Sequence, residues 1–416
     1  MKIEEIDTVC FIGAGTMGCF NALMAAAAGY DAVLYDLSEE ALVEAPLTLT
    51  DMAAALVEAG FFAAQDIPAA MSRIRVNSDL AAATANADLV SESVSERLEV
   101  KRAVFKQLDE LCPQGAILTT NTSALLVSDI EDAVKRGDRF AALHSHLGSH
   151  LLDIVGGPRT SAETIDILQR YVMSIHGVPL VLKKEHPGYV LNTMLGSMLA
   201  MAMVLVIEGV ASKEDIDRAW MSYRKAPMGP FGMMDLFGLN VVYDSWQKPN
   251  PEAEASGLKD KIIAFLFSYI SRSALGVKTD EGFYHYPEPA FQQDDFLQTS
   301  NDLSLPYYAM IGVIIDNATN VARKGVANIE DIDRAWMVGT HAEIGPFGIV
   351  DALGIDEFLA IYSAQVELGL FSKESADLLK SFMQPYIDKQ QLGEKSGQGF
   401  YTYPKPRFRQ PGFLPA

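Results

Sequence analysis

Near neutral pH the side chain best suited to take a proton from a hydroxyl is a histidine held by a carboxylate, and His144 with Asp153 supplies both within ten residues. The same stretch, His144-x-His146-x-x-x-His150-x-x-Asp153, also holds three imidazoles and a carboxylate, the donor types of a metal site. Its spacing matches no common zinc signature, so no metal is expected, and His146 and His150 are read as loop histidines making ordinary hydrogen bonds. Two further polar groups follow apolar runs: Glu92 to Glu96, and Asn121-Thr-Ser123. For Asn121 and Ser123, turn formation or helix capping stays open beside a part in catalysis.

These residues need a scaffold, and the first forty positions describe one. Residues 8–12 are a short apolar run, Gly13-Ala-Gly-Thr-Met-Gly18 follows, residues 21–28 have helical composition, and 32–35 form a second strand ended by Asp36. Three glycines at this spacing are a weak signal alone. Between a strand and a helix, with an acid closing the next strand, they meet the requirements for binding a dinucleotide. Gly13 makes the tight turn, Gly15 admits a pyrophosphate to the backbone, and Gly18 lets the helix approach the sheet, while free N–H groups at the helix start attract negative charge. Asp36 suits both ribose hydroxyls and repels a 2′-phosphate, which favours NAD over NADP.

Further strand-like runs at 87–90, 116–119, 140–143 and 179–182 alternate with helical stretches at 96–111 and 161–175. That alternation predicts an α/β Rossmann-type doubly wound domain with a mainly parallel sheet. Ligands of such sheets lie beyond the carboxyl ends of the strands, where Glu92 to Glu96, Asn121 to Ser123 and His144 all fall. From about His186 the periodicity turns helical.

The helical part repeats itself. Glu208-Gly-Val-Ala-Ser-Lys-Glu-Asp-Ile-Asp-Arg-Ala-Trp-Met221 returns as Lys324-Gly-Val-Ala-Asn-Ile-Glu-Asp-Ile-Asp-Arg-Ala-Trp-Met337, and through Leu239 and Ile355 18 of 32 positions are identical at an offset of 116. Chance would give about two, so the reading is two tandem all-α domains. A terminal echo follows in Lys278-Thr-Asp-Glu-Gly-Phe-Tyr-His-Tyr-Pro287 and Lys395-Ser-Gly-Gln-Gly-Phe-Tyr-Thr-Tyr-Pro404. The expected organisation is 1–184 for the α/β domain, 185–290 for copy one and 300–405 for copy two, with the acidic stretch 288–301 as a linker. Residues 189–207 carry no charge and approach membrane-spanning length. Asn192, Thr193 and Ser197 inside the run, and the acidic helix-like continuation, predict a buried helix instead.

Acids outnumber bases by 54 to 33, a formal charge of −21, which argues against nucleic acid and anionic membranes as partners. The three cysteines, Cys10, Cys19 and Cys112, have no paired spacing, and the acidic N-terminus has no signal-peptide pattern. A reducing cytoplasm is the expected location.

Taken together, these residues resemble the L-3-hydroxyacyl-CoA dehydrogenase family. The resemblance is carried by Gly13-Ala-Gly-Thr-Met-Gly18, Glu92-Ser-Val-Ser-Glu96 with Lys101, Thr120-Asn-Thr-Ser-Ala124, Arg139-Phe-Ala-Ala-Leu-His144, Leu152-Asp-Ile-Val-Gly-Gly157, His186-Pro-Gly-Tyr-Val-Leu-Asn192 and Met228-Gly-Pro-Phe-Gly-Met-Met-Asp-Leu236. It implies reversible NAD-dependent oxidation of a small-molecule substrate, an L-3-hydroxyacyl-CoA, to the 3-oxoacyl-CoA with His144 as general base, oriented by Asp153 where the family has glutamate. It also implies that Ser123 and Asn192 hydrogen-bond the reacting oxygen and the neighbouring carbonyl, and that Met17, Glu96, Lys101, Ser123 and Lys278 join Gly13, Gly15, Gly18 and Asp36 in the cofactor site. Members with one helical domain dimerise through it, so the fused copy implies a pseudo-dimeric module within one chain, with further self-association left open.

Three departures from the family pattern bear on substrate. The segment between His144 and Asp153 is shorter, Asp153 is a methylene shorter than glutamate, and residues 36–72 contain no Lys or Arg to meet a CoA phosphate. A non-CoA 3-hydroxy acid or sugar acid is therefore the alternative substrate.

Overall fold

Short apolar runs such as Thr8-Val-Cys-Phe-Ile12, four of five residues buried, pair into a sheet whose two faces are covered by helices. The computed structural model describes residues 3–247, 254 and 257–414. Its strands are β1 (Thr8–Ile12), β2 (Asp31–Tyr35), β3 (Ile74–Asn77), β4 (Leu89–Glu92), β5 (Ile117–Thr120), β6 (Phe140–Ser145), β7 (Leu151–Gly156) and β8 (Val178–Val181), in the order β3-β2-β1-β4-β5-β6-β7-β8. Pairing is parallel from β3 to β6, while β7 runs antiparallel to β6 and parallel to β8.

Each expected strand is present, with ends moved by no more than two residues. Two strands go beyond the expectation. β3 is an edge strand whose Arg75 and Val76 are exposed, so it has no apolar run, and β7 has a carboxylate in its middle. The first helix, Thr16–Ala27, begins ahead of the expected 21–28 and so contains Gly18. A methyl group there would lie 1.7 Å from the Gly13 carbonyl oxygen, which outweighs the roughly 1 kcal/mol that glycine costs inside a helix.

Packing groups the chain into two compact units. One is Met1–Leu191 with Lys324–His341 and Gln410–Ala416; the other is Asn192–Arg323 with Ala342–Arg409. Copy two is thus divided between them: residues 324–341 join the first unit and most of the remainder the second. In the first unit the copy-two helix Ile329–Thr340 lies against β7 and β8, and the Lys183 N–H donates to the Val326 carbonyl at 2.8 Å. In the second unit the copy-two helix Ser304–Arg323 packs on the copy-one helix Lys213–Arg224. One pair of repeat positions is filled in two ways: Tyr223 stacks on Tyr307 with centroids 4.1 Å apart, whereas at the corresponding Gly339 a methyl would meet the Leu191 side chain at 2.1 Å.

Buried aspartates explain the repeated motifs. Asp217 accepts the Phe231 and Gly232 N–H groups at the start of the helix Pro230–Phe237, and the Tyr284 hydroxyl as well. Asp235 accepts the Phe283 and Tyr284 N–H groups and the Tyr286 hydroxyl; Asp351 does the same for Phe400, Tyr401 and Tyr403. The Gly-Phe-Tyr echo is therefore a hook over a carboxylate, and a methyl at Gly282 or Gly399 would sit 2.1 Å from its oxygen.

The stretch 288–301 is not a free linker. Phe291 and Phe296 are buried, and the Arg218 guanidinium covers Phe296 at 4.7 Å while donating to its carbonyl at 2.5 Å. Arg334 treats Phe413 likewise, at 5.0 Å and 2.9 Å. Both segments read Pro-x-Pro-x-Phe-x-Gln-x-x-Phe, from Pro287 and from Pro404. The uncharged run is the helix Leu191–Ile207, and among the described residues no helix is long and apolar enough to cross a membrane.

Candidate active site

The carboxyl ends of β1, β2, β4, β5 and β6 gather the polar residues of the first unit. Gly13 takes φ +106° where its N–H meets the Tyr35 carbonyl at 2.7 Å, and a methyl on it would strike the Ser93 carbonyl oxygen at 2.7 Å. Gly15 is different. Its φ of −75° suits any residue, and nothing lies within 4 Å of where its Cβ would stand. No protein neighbour requires glycine there, and the open backbone leaves room for a ligand to approach.

Gly15 also caps the helix Thr16–Ala27 without a side chain, leaving the first N–H groups free for phosphate. Met17 is half-buried on that first turn. Asp36 accepts the Ala14 N–H through Oδ2 and the Ser38 N–H through Oδ1, both at 2.8 Å, and each oxygen retains capacity for a ribose hydroxyl. Beside the turn, the Ser93 hydroxyl is buried without a partner. The site fits the dinucleotide that the glycine spacing implies.

Behind it lies a closed ionic cluster. Glu92 is 0% exposed at the end of β4, and Lys101, 1% exposed, places Nζ 2.7 Å from Glu92 Oε1 and 3.3 Å from Glu96 Oε2. Glu92 also accepts the Val94 N–H and the Thr120 hydroxyl, each at 2.7 Å. Glu96 accepts the Thr122 hydroxyl at 2.5 Å and the Ser123 and Ala124 N–H groups at 3.0 Å. Lys101, expected to touch NAD, has its ammonium enclosed between carboxylates, because a buried cation must be paired. Glu96 is tied to the loop after β5, where Ser123 keeps a half-buried side chain. Asn121 plays a structural part, because its Oδ1 accepts the Ser145 N–H at 2.8 Å and hydroxyl at 3.1 Å and so joins the ends of β5 and β6.

His144 and Asp153 stand directly opposite each other in the antiparallel β6–β7 pair, so the aspartate reaches the ring despite its length. His144 Nδ1 lies 2.9 Å from Asp153 Oδ2, and both side chains are buried. Burial, seconded by the neighbouring His146, pushes the His144 pKa below the ordinary imidazole value against the pull of Asp153. Burial would raise Asp153, but His146 and His144 together hold it below the usual carboxylate value. Asp153 is therefore an ionised acceptor, His144 carries its proton on Nδ1, and Nε2 keeps a basic lone pair. Tyr189 packs its ring 5.0 Å from His144 and donates its hydroxyl to the Thr122 carbonyl at 2.8 Å.

His146, read in the sequence as an ordinary loop histidine, places Nε2 2.9 Å from the same Asp153 oxygen. Among the described residues His144, His146 and Asp153 form the group, with donor atoms within 4.8 Å of one another, whose geometry would suit a metal ion. Hydrogen bonds from both rings to one carboxylate account for that closeness. His150 stands apart, stacked on Phe61 at 4.1 Å. Asn192 and Lys278 belong to the second unit: Asn192 is half-buried on the first turn of the helix Leu191–Ile207, and Lys278 is exposed in the turn Val277–Thr279.

The chain matches the NAD-binding domain of 3-hydroxyacyl-CoA dehydrogenase over residues 8–186 and its C-terminal domain twice, over 188–286 and 308–403. It is 33% identical over 297 residues to the mitochondrial hydroxyacyl-coenzyme A dehydrogenase of Homo sapiens, covering 68% of this chain and 91% of that one. A diketoreductase that acts on dicarbonyl compounds aligns in structure with TM-score 0.61 and 35% identity, over 68% of this chain and 99% of its own. 3-Hydroxybutyryl-CoA dehydrogenase from Escherichia coli K12 shares the fold over 92% of this chain and 99% of its own, with TM-score 0.75 and 24% identity. This chain belongs to the 3-hydroxyacyl-CoA dehydrogenase family and is an NAD-dependent dehydrogenase.

Proposed function

We propose that the chain oxidises an L-3-hydroxyacyl-CoA to the 3-oxoacyl-CoA, reversibly, with His144 as general base. The observation that carries this reading is the buried His144–Asp153 pair, in which Nδ1 faces the carboxylate and Nε2 is left to meet the hydroxyl. NAD, when bound, accepts the hydride from C3. His144 Nε2 takes the proton of the 3-hydroxyl, and Asp153 stabilises the imidazolium that forms. The family resemblance assigns Ser123 and Asn192 to the reacting oxygen and the neighbouring carbonyl, and Lys278 to the cofactor. No step needs a metal, so exhaustive chelation is expected to leave turnover intact.

A second reading, oxidation of a 3-hydroxy acid without CoA, is favoured by one feature. The helix Glu39–Glu58 follows β2 where CoA would want cations, yet residues 36–72 contain no Lys or Arg, and Leu37, Val43 and Leu47 are exposed there. The similarity to a diketoreductase agrees with it. Supplying 3-hydroxybutyryl-CoA and then 3-hydroxybutyrate with NAD, and following nicotinamide absorbance, separates the two. Turnover of the free acid alone would remove the CoA ester from the proposal. The second helical copy takes, within one chain, the place of a partner's domain, as the packing of Ser304–Arg323 on Lys213–Arg224 supports.

A further inference from the structure

We propose that His146 is a positioning residue of the reaction: it clamps the Asp153 carboxylate so that one fixed oxygen orients His144. The proposal rests on the dehydrogenase reading above.

The strand geometry puts His146 within reach. β6 ends at Ser145, so His146, two residues beyond His144, projects on the same face, and Asp153 opposite His144 meets both rings. The rings are nearly perpendicular, 78° apart with centroids at 4.5 Å, and both nitrogens converge on Oδ2 at 2.9 Å.

The other oxygen decides the matter. Asp153 Oδ1 is buried and has no hydrogen-bond partner, so no second anchor fixes the plane of the carboxylate. Held by His144 alone, the group could turn about its last bond, which is soft in aspartate, and offer either oxygen. A second N–H on Oδ2 removes that freedom. The same bond draws charge from Oδ2, so Asp153 pulls less on the His144 proton and leaves the ring a weaker, neutral base. The other groups around this cluster are the Glu96 carboxylate, which acts in the opposite sense, and the ring of Tyr189, anchored on Thr122.

The test uses the full chain with His146→Phe, which deletes the donor, and His146→Gln, which keeps an N–H near the same place. Two readouts are taken: the titration of the His144 ring by NMR in the free protein, and kcat, KM and the pH profile with NAD and a 3-hydroxy substrate. His146→Phe is expected to lower kcat about tenfold to a hundredfold, as misplacement of a reacting group does, with KM for NAD little changed. The His144 titration and the acid limb of kcat/KM are expected to move together to higher pH. His146→Gln should recover most of kcat. The proposal is overturned if His146→Phe keeps the parental kcat and His144 titration, or if His146→Gln is as impaired as His146→Phe. Should the parent oxidise no 3-hydroxy substrate, the dehydrogenase reading fails, while the NMR titrations still show whether His146 acts on His144.

Discussion

Aspartate is shorter than the glutamate of the family pattern, and Asp153 nevertheless meets His144 because the two are cross-strand partners. Two predictions belong to this pair. His144→Gln should lower kcat by at least a hundredfold, since general-base assistance contributes about 10²–10⁴, while NAD binding followed by fluorescence stays near parental strength. Because burial depresses the His144 pKa, the base form is already present at neutrality. The acid limb of the oxidation profile should therefore fall below about pH 6.5, the ordinary imidazole value, and a limb above that value would contradict the assignment. The contact of His144 with Asp153 was legible in the sequence because a histidine held by a carboxylate is a recognisable chemical pair. The contact of His146 with the same carboxylate was not, since it depends on a register that strand β7 sets, nor was the enclosure of Lys101, because motif spacing carries no information on burial.

Elements are held here by carboxylates removed from water. Burial raises Asp217 to about 7, against the N–H groups of Phe231 and Gly232 that favour its charged form, and it raises Asp235 and Asp351 in the same direction. Such a group binds its proton more tightly folded than unfolded. Its contribution is greatest below the ordinary aspartate range, near 4, and is lost as pH rises through that value to about 7. Urea unfolding of the helical unit should accordingly show stability falling between pH 4 and 7, by at most about 1.4 kcal/mol per pH unit for each such group. Asp217→Asn should flatten that slope, and an unchanged slope would remove the carboxylate from the account. The helices and their repeat were plain in the sequence, because identical residues at a fixed offset need no structural knowledge. The hooks were not, because Asp235 and its partners Phe283 and Tyr284 are far apart in sequence. The stretch 288–301 passed for a linker because its acids hide two phenylalanines, although the same pattern recurs from Pro404.

At the scale of the molecule, duplication has not produced a detachable module. The backbone passes from one unit to the other four times, at Leu191/Asn192, Arg323/Lys324, His341/Ala342 and Gln410 after Arg409. The sequence repeat correctly announced two copies, yet it could not reveal that the helix Ile329–Thr340 of one copy covers strands laid down near residues 151–181. That covering helix, with Trp336 almost wholly buried, sets a timetable for biosynthesis. Strands β7 and β8 leave the ribosome more than a hundred residues before the helix that packs on them. Stalled nascent chains ending near residue 300 should be cut by protease in the β7–β8 region, and released full-length chains should resist. A growing chain of this architecture therefore has an interval in which a half-finished sheet must be kept from other exposed strands.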